Sequence, residues 1–459
     1  MSERVLPEGW VSTTLGELCE LNPKQKLDDD LEVGFMPMSG MPTTFHEKPE
    51  FETRKWVTVK KGYTQFKNGD VLFAKITPCF ENGKAAIVGD FPGGWGAGST
   101  EYYVLRPRAE AVDTRLLLAL VRTKDFLNSG ELNMSGSVGH KRVPKEFVAS
   151  YSFPLMPKAE QKAITDKLDE LLAQVNNLKT RLDAIPAILK RFRQSVLAAA
   201  VRGELTNGQA ENWSEVEFSE LLEAIRSGSA DKPVDDPSGV PILRSSAVRS
   251  REVDFDDVRY LSRSADLRAD NYLRVGDLLF TRLSGSAEYV GNCALVKHVG
   301  RDCQYPDRLF CARLKDKRMS RYLEVFFSSE SFRRHIYASL KSSAGHQRIT
   351  LDAVRKAIVH LPPLEEQEDI VHRVDQLFAF ADQVERQVAN AQTRVNKLTQ
   401  SILAKAFRGE LTAEWRAENP ELTSGEHSAE ALLERIKAEK AKQKPAGRGR
   451  KKAAAEAAG

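Results

Sequence analysis

The sequence predicts an α+β protein: two mixed α/β domains joined by two long antiparallel coiled-coil helices, the halves being copies of one plan related by a pseudo-twofold. Three observations predict it. Residues 157–206 align with 363–412 at a constant offset of 206 without a gap, and 17 of the 50 positions are identical; a repeat of that fidelity decides the architecture before any local reading. Within both segments apolar residues recur at alternating steps of four and three. The stretches ahead of them diverge far more, but are rich in Gly, Pro, Thr and aromatics and contain short β-like runs.

Residues 1–153 form the first domain, with β-like runs such as Trp56-Val57-Thr58-Val59 and Tyr102-Tyr103-Val104-Leu105 and a helical patch over 114–128; strand runs mixed with helix periodicity give an α/β class. Residues 154–207 carry the first helix. Its seam reads Ile164, Leu168, Leu171, Val175, Leu178, Leu182, Ile185, Leu189, Phe192 and Val196, an a/d pattern sustained for more than four heptads. Pro157 and Glu160 suit its first turn and Gly203 its end. Pro186 lies within it, where proline kinks the axis or costs about 3 kcal/mol.

Residues 208–359 repeat the first domain and 360–413 the helix, whose seam is Ile370, Val374, Leu377, Ala381, Val384, Val388, Ala391, Val395, Leu398 and Ile402. The domains share landmarks: Trp10 with Trp213, both read as core anchors, Gly69-Asp70-Val71-Leu72-Phe73-Ala74-Lys75 with Gly276-Asp277-Leu278-Leu279-Phe280-Thr281-Arg282, and Gly139-His140-Lys141-Arg142 with Gly345-His346-Gln347-Arg348. Residues 414–459 hold a helix over 429–440 and a basic, low-complexity tail expected to be disordered; from Arg435 to Lys452 there are nine Lys/Arg against one acid.

Two apolar seams cannot both face water, so the helices pair with each other, antiparallel, as repeats packed about a twofold require. The seam from 164 to 196 spans 32 rises, about 48 Å, against about 34 Å for a turn of duplex DNA. The pair is therefore a ruler. Leu172, Ile188, Leu197, Phe378, Phe380 and Phe407 lie off the strict seam, either as places for partner proteins or as parts of the domain cores.

Composition excludes several classes. The 459 residues are 41% hydrophobic and 29% charged, a globular balance. No apolar run reaches the roughly 18 residues that span a bilayer and the N-terminus lacks a signal-peptide pattern, so a cytoplasmic location is expected. Five cysteines without Cys-x-x-Cys or zinc spacing argue against disulfides and metal. A net charge of +4 excludes a polycation but not segregated basic patches. There is no Asn/Asp-Pro-Pro-Tyr methyltransferase motif, phosphate loop, nucleophile elbow or His-Glu-x-x-His, so no catalytic residue is expected.

The plan of variable domain, helix, variable domain, helix, with Leu189-Lys190-Arg191-Phe192-Arg193-Gln194-Ser195 and the run from Leu398 to Thr412, resembles the specificity (S, HsdS) subunit of type I restriction-modification enzymes, in its type IA, EcoKI-like branch. The resemblance implies that each variable domain is a target recognition domain reading one half of an asymmetric bipartite sequence in double-stranded DNA. The helices would set the spacer and bind two modification subunits. S-adenosylmethionine would belong to those modification subunits, ATP and Mg²⁺ to restriction subunits, and no cofactor to this chain.

Base reading needs forked donors near a closely approaching backbone, whereas phosphate contacts need only placed cations. The expected DNA-contacting residues are therefore Lys75 and Arg282 at strand ends, His140, Lys141 and Arg142, His346, Gln347 and Arg348 beside the repeated glycines, and Lys84, Arg244, Arg249 and Arg251. Asp70 and Asp277 read as turn-capping carboxylates, since no second carboxylate recurs nearby. The alternative is a coiled-coil scaffold joining two protein-binding domains, distinguished by binding that ignores ionic strength.

Overall fold

The computed structural model describes residues 6–45, 47–108, 111–137, 139–206, 210–262, 267–343 and 346–442. The basic tail beyond 442 lies outside the described residues. The chain divides into two compact units, one made of 1–183 with 390–459 and the other of 184–389.

In the first unit, Cys19–Leu21, Tyr102–Pro107, Val71–Ala74 and Ala85–Ile87 form an antiparallel four-stranded sheet in that order. Val71–Ala74 is buried along its whole length, which suits a continuous apolar run in mid-sheet. A second four-stranded sheet runs Glu52–Lys55, Glu32–Met36, Trp95–Gly98, Thr64–Lys67, with one parallel pairing between Glu32–Met36 and Trp95–Gly98. Val11–Thr14 pairs antiparallel with Ser152–Leu155. The helical patch resolves into Thr114–Val121 and Lys124–Leu132, capped by the Asp113 carboxylate and the Thr123 hydroxyl. Trp56–Val59, expected as strand, is one helical turn: Trp56 and Val59 are both buried, an i, i+3 pair on one helical face.

The second unit repeats the central sheet in the same order, Leu222–Ser227, Leu309–Leu314, Leu278–Thr281, Cys293–Leu295, and the flanking pair Ser214–Glu217 with Ile358–Leu361. Among the described residues the second four-stranded sheet is not repeated. Two small hairpin-like pairs, Val240–Leu243 with Val258–Leu261 and Val248–Arg249 with Glu252–Val253, stand in its place. Divergence between the copies is thus concentrated beside a retained central sheet.

The turn role of Asp70 and Asp277 is present, the two carboxylates accepting from the backbone N–H of Lys67 and Arg274 at 2.8 and 2.9 Å. Each is also buried against an arginine of the neighbouring strand: Arg106 forks onto Asp70 at 2.8 and 2.7 Å, and Arg313 donates to Asp277 at 3.2 Å. Asp70→Asn leaves the Arg106 guanidinium buried without its counter-charge, so a loss of about 3–5 kcal/mol is expected in urea unfolding followed by circular dichroism.

The long helices are Lys158–Val201 and Leu364–Phe407, and the first continues through Pro186. Each unit contains one stretch of both, running in opposite directions. In the first, Ile164 and Leu168 share the core with Leu403 and Ala406, and Gln392 donates to Asp183 at 2.7 Å. In the second, Val196 and Ala200 share a core with Ile370 and Val374, and Arg193 reaches Asp382 and Glu385.

Two seam residues depart from expectation. Leu178 is 46% exposed and Leu398 is 44% exposed. Seam positions such as Ile164, Leu168, Val196, Ile370 and Val374 are buried where domain cores add cover; away from that cover a lone helix pair shields only one side of each side chain. Of the off-seam residues, Leu172, Leu197 and Phe407 enter the cores, whereas Ile188 and Phe380 remain 53% and 60% exposed. The C-terminal helix is Ala429–Lys442, and its Ala429, Leu432, Leu433 and Ile436 complete the first unit's core.

Both units close on the same clamp. Trp10 Nε1 donates to Glu160 Oε2 at 2.7 Å, while Thr412 Oγ1 and Arg416 Nη2 donate to Oε1 at 2.7 and 2.6 Å. In the second unit Trp213 Nε1 and Thr206 Oγ1 donate to Glu366 at 3.2 and 2.7 Å. The acidic residue of each helix start thus holds its domain's tryptophan and the threonine just beyond the other helix.

Candidate nucleic-acid interface

The central strand Val71–Ala74 ends at Lys75, whose N–H donates to Glu101 O and whose carbonyl accepts from Val143 N, both at 2.9 Å. Thr77 N–H donates to Lys141 O, and Ile76 bridges Arg142. These bonds gather Lys75, Glu101 and the exposed His140, Lys141 and Arg142. Lys75 Nζ lies 5.5 Å from the Tyr103 ring centroid. Arg142 forks onto Glu101 with two 2.9 Å hydrogen bonds. That bond, with the charges of Lys75 and His140, holds the Glu101 carboxyl below the usual carboxylate range despite partial burial.

The second unit builds the same junction with other side chains. Arg282 N–H donates to Arg308 O at 2.9 Å, and Ile349 N–H donates to Arg282 O at 3.1 Å. Leu283–Ser284 pairs with His346–Arg348, which pairs in turn with Lys341–Ser343. Arg308 and Arg348 are exposed, and the Arg282 guanidinium donates to Asp307 O at 3.0 Å while lying 5.5 Å over Phe310. Gln347 sits in the central strand of this small sheet. The His346 side chain lies outside the described residues.

Sequence reading missed Glu101 and Arg308. Each is a lone charged residue without a local motif, and the signal was that they stand 207 apart, like Lys75 and Arg282, with opposite charge.

The remaining candidates are not brought into these clusters. Arg244 is exposed beside Asp257 at 3.6 Å, and Arg249 is exposed with its guanidinium 4.9 Å over Tyr289. Lys84 turns inward and donates to Met38 O at 2.8 Å. Arg251 is the clearest departure. Its side chain is 11% exposed, donates to Asp375 at 2.9 Å through Nη2, and lies 4.8 Å over Phe378; it packs within the second unit, and it is withdrawn from the contact set together with Lys84.

Among the described residues no cluster of His, Cys, Asp or Glu could hold a metal ion. The cysteines are free thiols, and burial pushes Cys19 up to about 12 and Cys303 up to about 11, so neither is poised as a nucleophile.

Two repeated α/β units on paired helices, each ending its central strand beside a basic cluster, define a class: a duplicated α/β protein built on a pair of long helices. The family profile for the type I restriction modification DNA specificity domain matches residues 7–187 and 210–391, and the chain belongs to that family. It is 39% identical to the type I restriction enzyme EcoKI specificity subunit of Escherichia coli K12, over 96% of this chain and 97% of that one. It is 34% identical to the StySPI specificity subunit of Salmonella potsdam, again over 96% and 97%. Among solved structures, the HsdS subunit from Thermoanaerobacter tengcongensis shares the fold with a TM-score of 0.59 and 22% identity, over 89% of this chain and 99% of that one. A chain from a structure described as the basis of "complex assembly and conformational transition of the type I R-M system" reaches 0.72 at 21% identity, over 88% and 99%. The chain is therefore a DNA specificity subunit of the type I restriction-modification family.

Proposed function

We propose that each unit reads one half of an asymmetric bipartite target in double-stranded DNA, the first through the Lys75, Glu101 and His140–Arg142 cluster, the second through Arg282, Arg308 and His346–Arg348. The observation that carries this reading is the shared backbone junction with opposite charges at Glu101 and Arg308: one frame, two chemistries, as two readers of different sequences need. The helices set the spacer and take two modification subunits, which supply S-adenosylmethionine; restriction subunits with ATP and Mg²⁺ complete the complex in the cytoplasm. No helix among the described residues is long and apolar enough to cross a membrane.

Methylation mapping of the chain assembled with its modification subunits tests this. Modification of adenines within one bipartite sequence is the expected result, and methylation without sequence preference overturns it. Substitutions should separate the two kinds of contact. Lys141→Ala is expected to weaken binding alike on all sequences and to reduce the salt slope by about one. Arg348→Ala is expected to relax one position of the second half-site by about 1–3 kcal/mol, read by competition binding on single-base variants.

A further inference from the structure

The repeat contains its own control, because the same helix positions can be compared in both units. In the second unit Arg193, Asp382 and Glu385 are bound together, the guanidinium donating at 2.6 and 2.8 Å, and Arg251 covers Phe378. The helix positions related by 206 residues to Arg193, Asp382, Glu385 and Phe378 are Thr399, Asn176, Lys179 and Leu172, which cannot form those ion pairs. In the first unit these residues line a cavity of about 440 Å³ between the domain and the helix pair, within the size range of ligand sites.

The lining also includes Arg122, which is 4% exposed. One guanidinium nitrogen donates to the carbonyls of Pro42 and Ala85, but neither Nε nor Nη1 has a partner among the described residues. The Phe45 ring lies 4.7 Å from this guanidinium. Burial, offset only in part by the charge of Glu47, lowers the Arg122 pKa to about 10. Buried arginine donors without an acceptor are costly and select for a carboxylate. Lys124 and Lys179 add charge against Glu81 and Glu131, while Asn82, Asn128, Asn176 and Asn396 present both donors and acceptors, a lining suited to peptide backbone.

We propose that this groove binds an acidic segment of a partner polypeptide, with a carboxylate on Arg122 and the segment's backbone against the lining asparagines. Phe45 swings aside to admit it. The proposal rests on the assignment of modification subunits as partners, and places one of their acidic segments here.

The test uses the full chain with purified modification subunits. A photo-cross-linking p-benzoylphenylalanine replaces Asn396, and a variant carrying Asn176→Asp, Lys179→Glu and Thr399→Arg installs the second unit's ion pairs in the first. The expected results are a cross-link to an acidic stretch of a modification subunit and, for the closed variant, at least tenfold weaker assembly with an unchanged unfolding midpoint. Cross-links only within the chain or to DNA, or wild-type assembly by the closed variant, overturn the groove proposal while leaving the subunit assignment standing. Failure of the unaltered chain to assemble with modification subunits overturns both.

Discussion

Glu160→Ala is expected to destabilise the first unit by about 3–5 kcal/mol, and Glu366→Ala the second by about 1–3 kcal/mol, in denaturant unfolding of the two single variants. The two acids occupy equivalent places and hold equivalent Trp and Thr donors. The difference is Arg416, which donates to Glu160 through both Nε and Nη2 at 3.0 and 2.6 Å and lies 5.5 Å over the Trp10 ring. The position 206 residues earlier is Ala210. Removing Glu160 therefore strands a largely buried cation, whereas removing Glu366 strands neutral donors. Adding Arg416→Met to Glu160→Ala should recover part of the loss; equal losses in the two single variants would show that the arginine contributes nothing.

Inserting four helical residues after Leu178 is expected to change the accepted spacer between half-sites and leave both half-site sequences as they were. Four residues add about 6 Å of helix and about 40° of rotation. Leu178 is an exposed seam residue, so the insertion spares the cores at either end. Methylation mapping of the variant reads spacer and half-sites together. An altered half-site would mean that the helices themselves take part in base reading.

The helix pair and the central sheet were legible because their signals are local. A heptad recurs every few residues, and Gly69-Asp70 and Gly276-Asp277 mark the same turn twice. What pairs with those turns was not legible: Arg106 and Arg313 come from strands 36 residues further on, and nothing in their own neighbourhood announces an ion pair. The Gly-His loops were half visible. Gly-His-x-Arg was found as a repeat, but Glu101 and Arg308 are brought beside it by backbone bonds from Lys75 and Arg282, contacts distant in sequence. Arg251 misled because a cation in a polar loop looks the same whether it faces solvent or turns inward, as this one does onto Asp375 and Phe378. Leu178 and Leu398 obey the heptad yet stay exposed, since periodicity reports which face a residue is on and not how much covers that face.

The clamp around Glu160 also bears on the order in which the chain is completed. The second unit is one uninterrupted stretch, 184–389, whereas the first joins 1–183 to 390–459. Trp10 and Glu160 leave the ribosome long before Thr412, Arg416 and the core residues Leu432 and Ile436 that they need. During synthesis the later-encoded unit can finish folding first, while the earlier one waits with an open core for its last strip of chain.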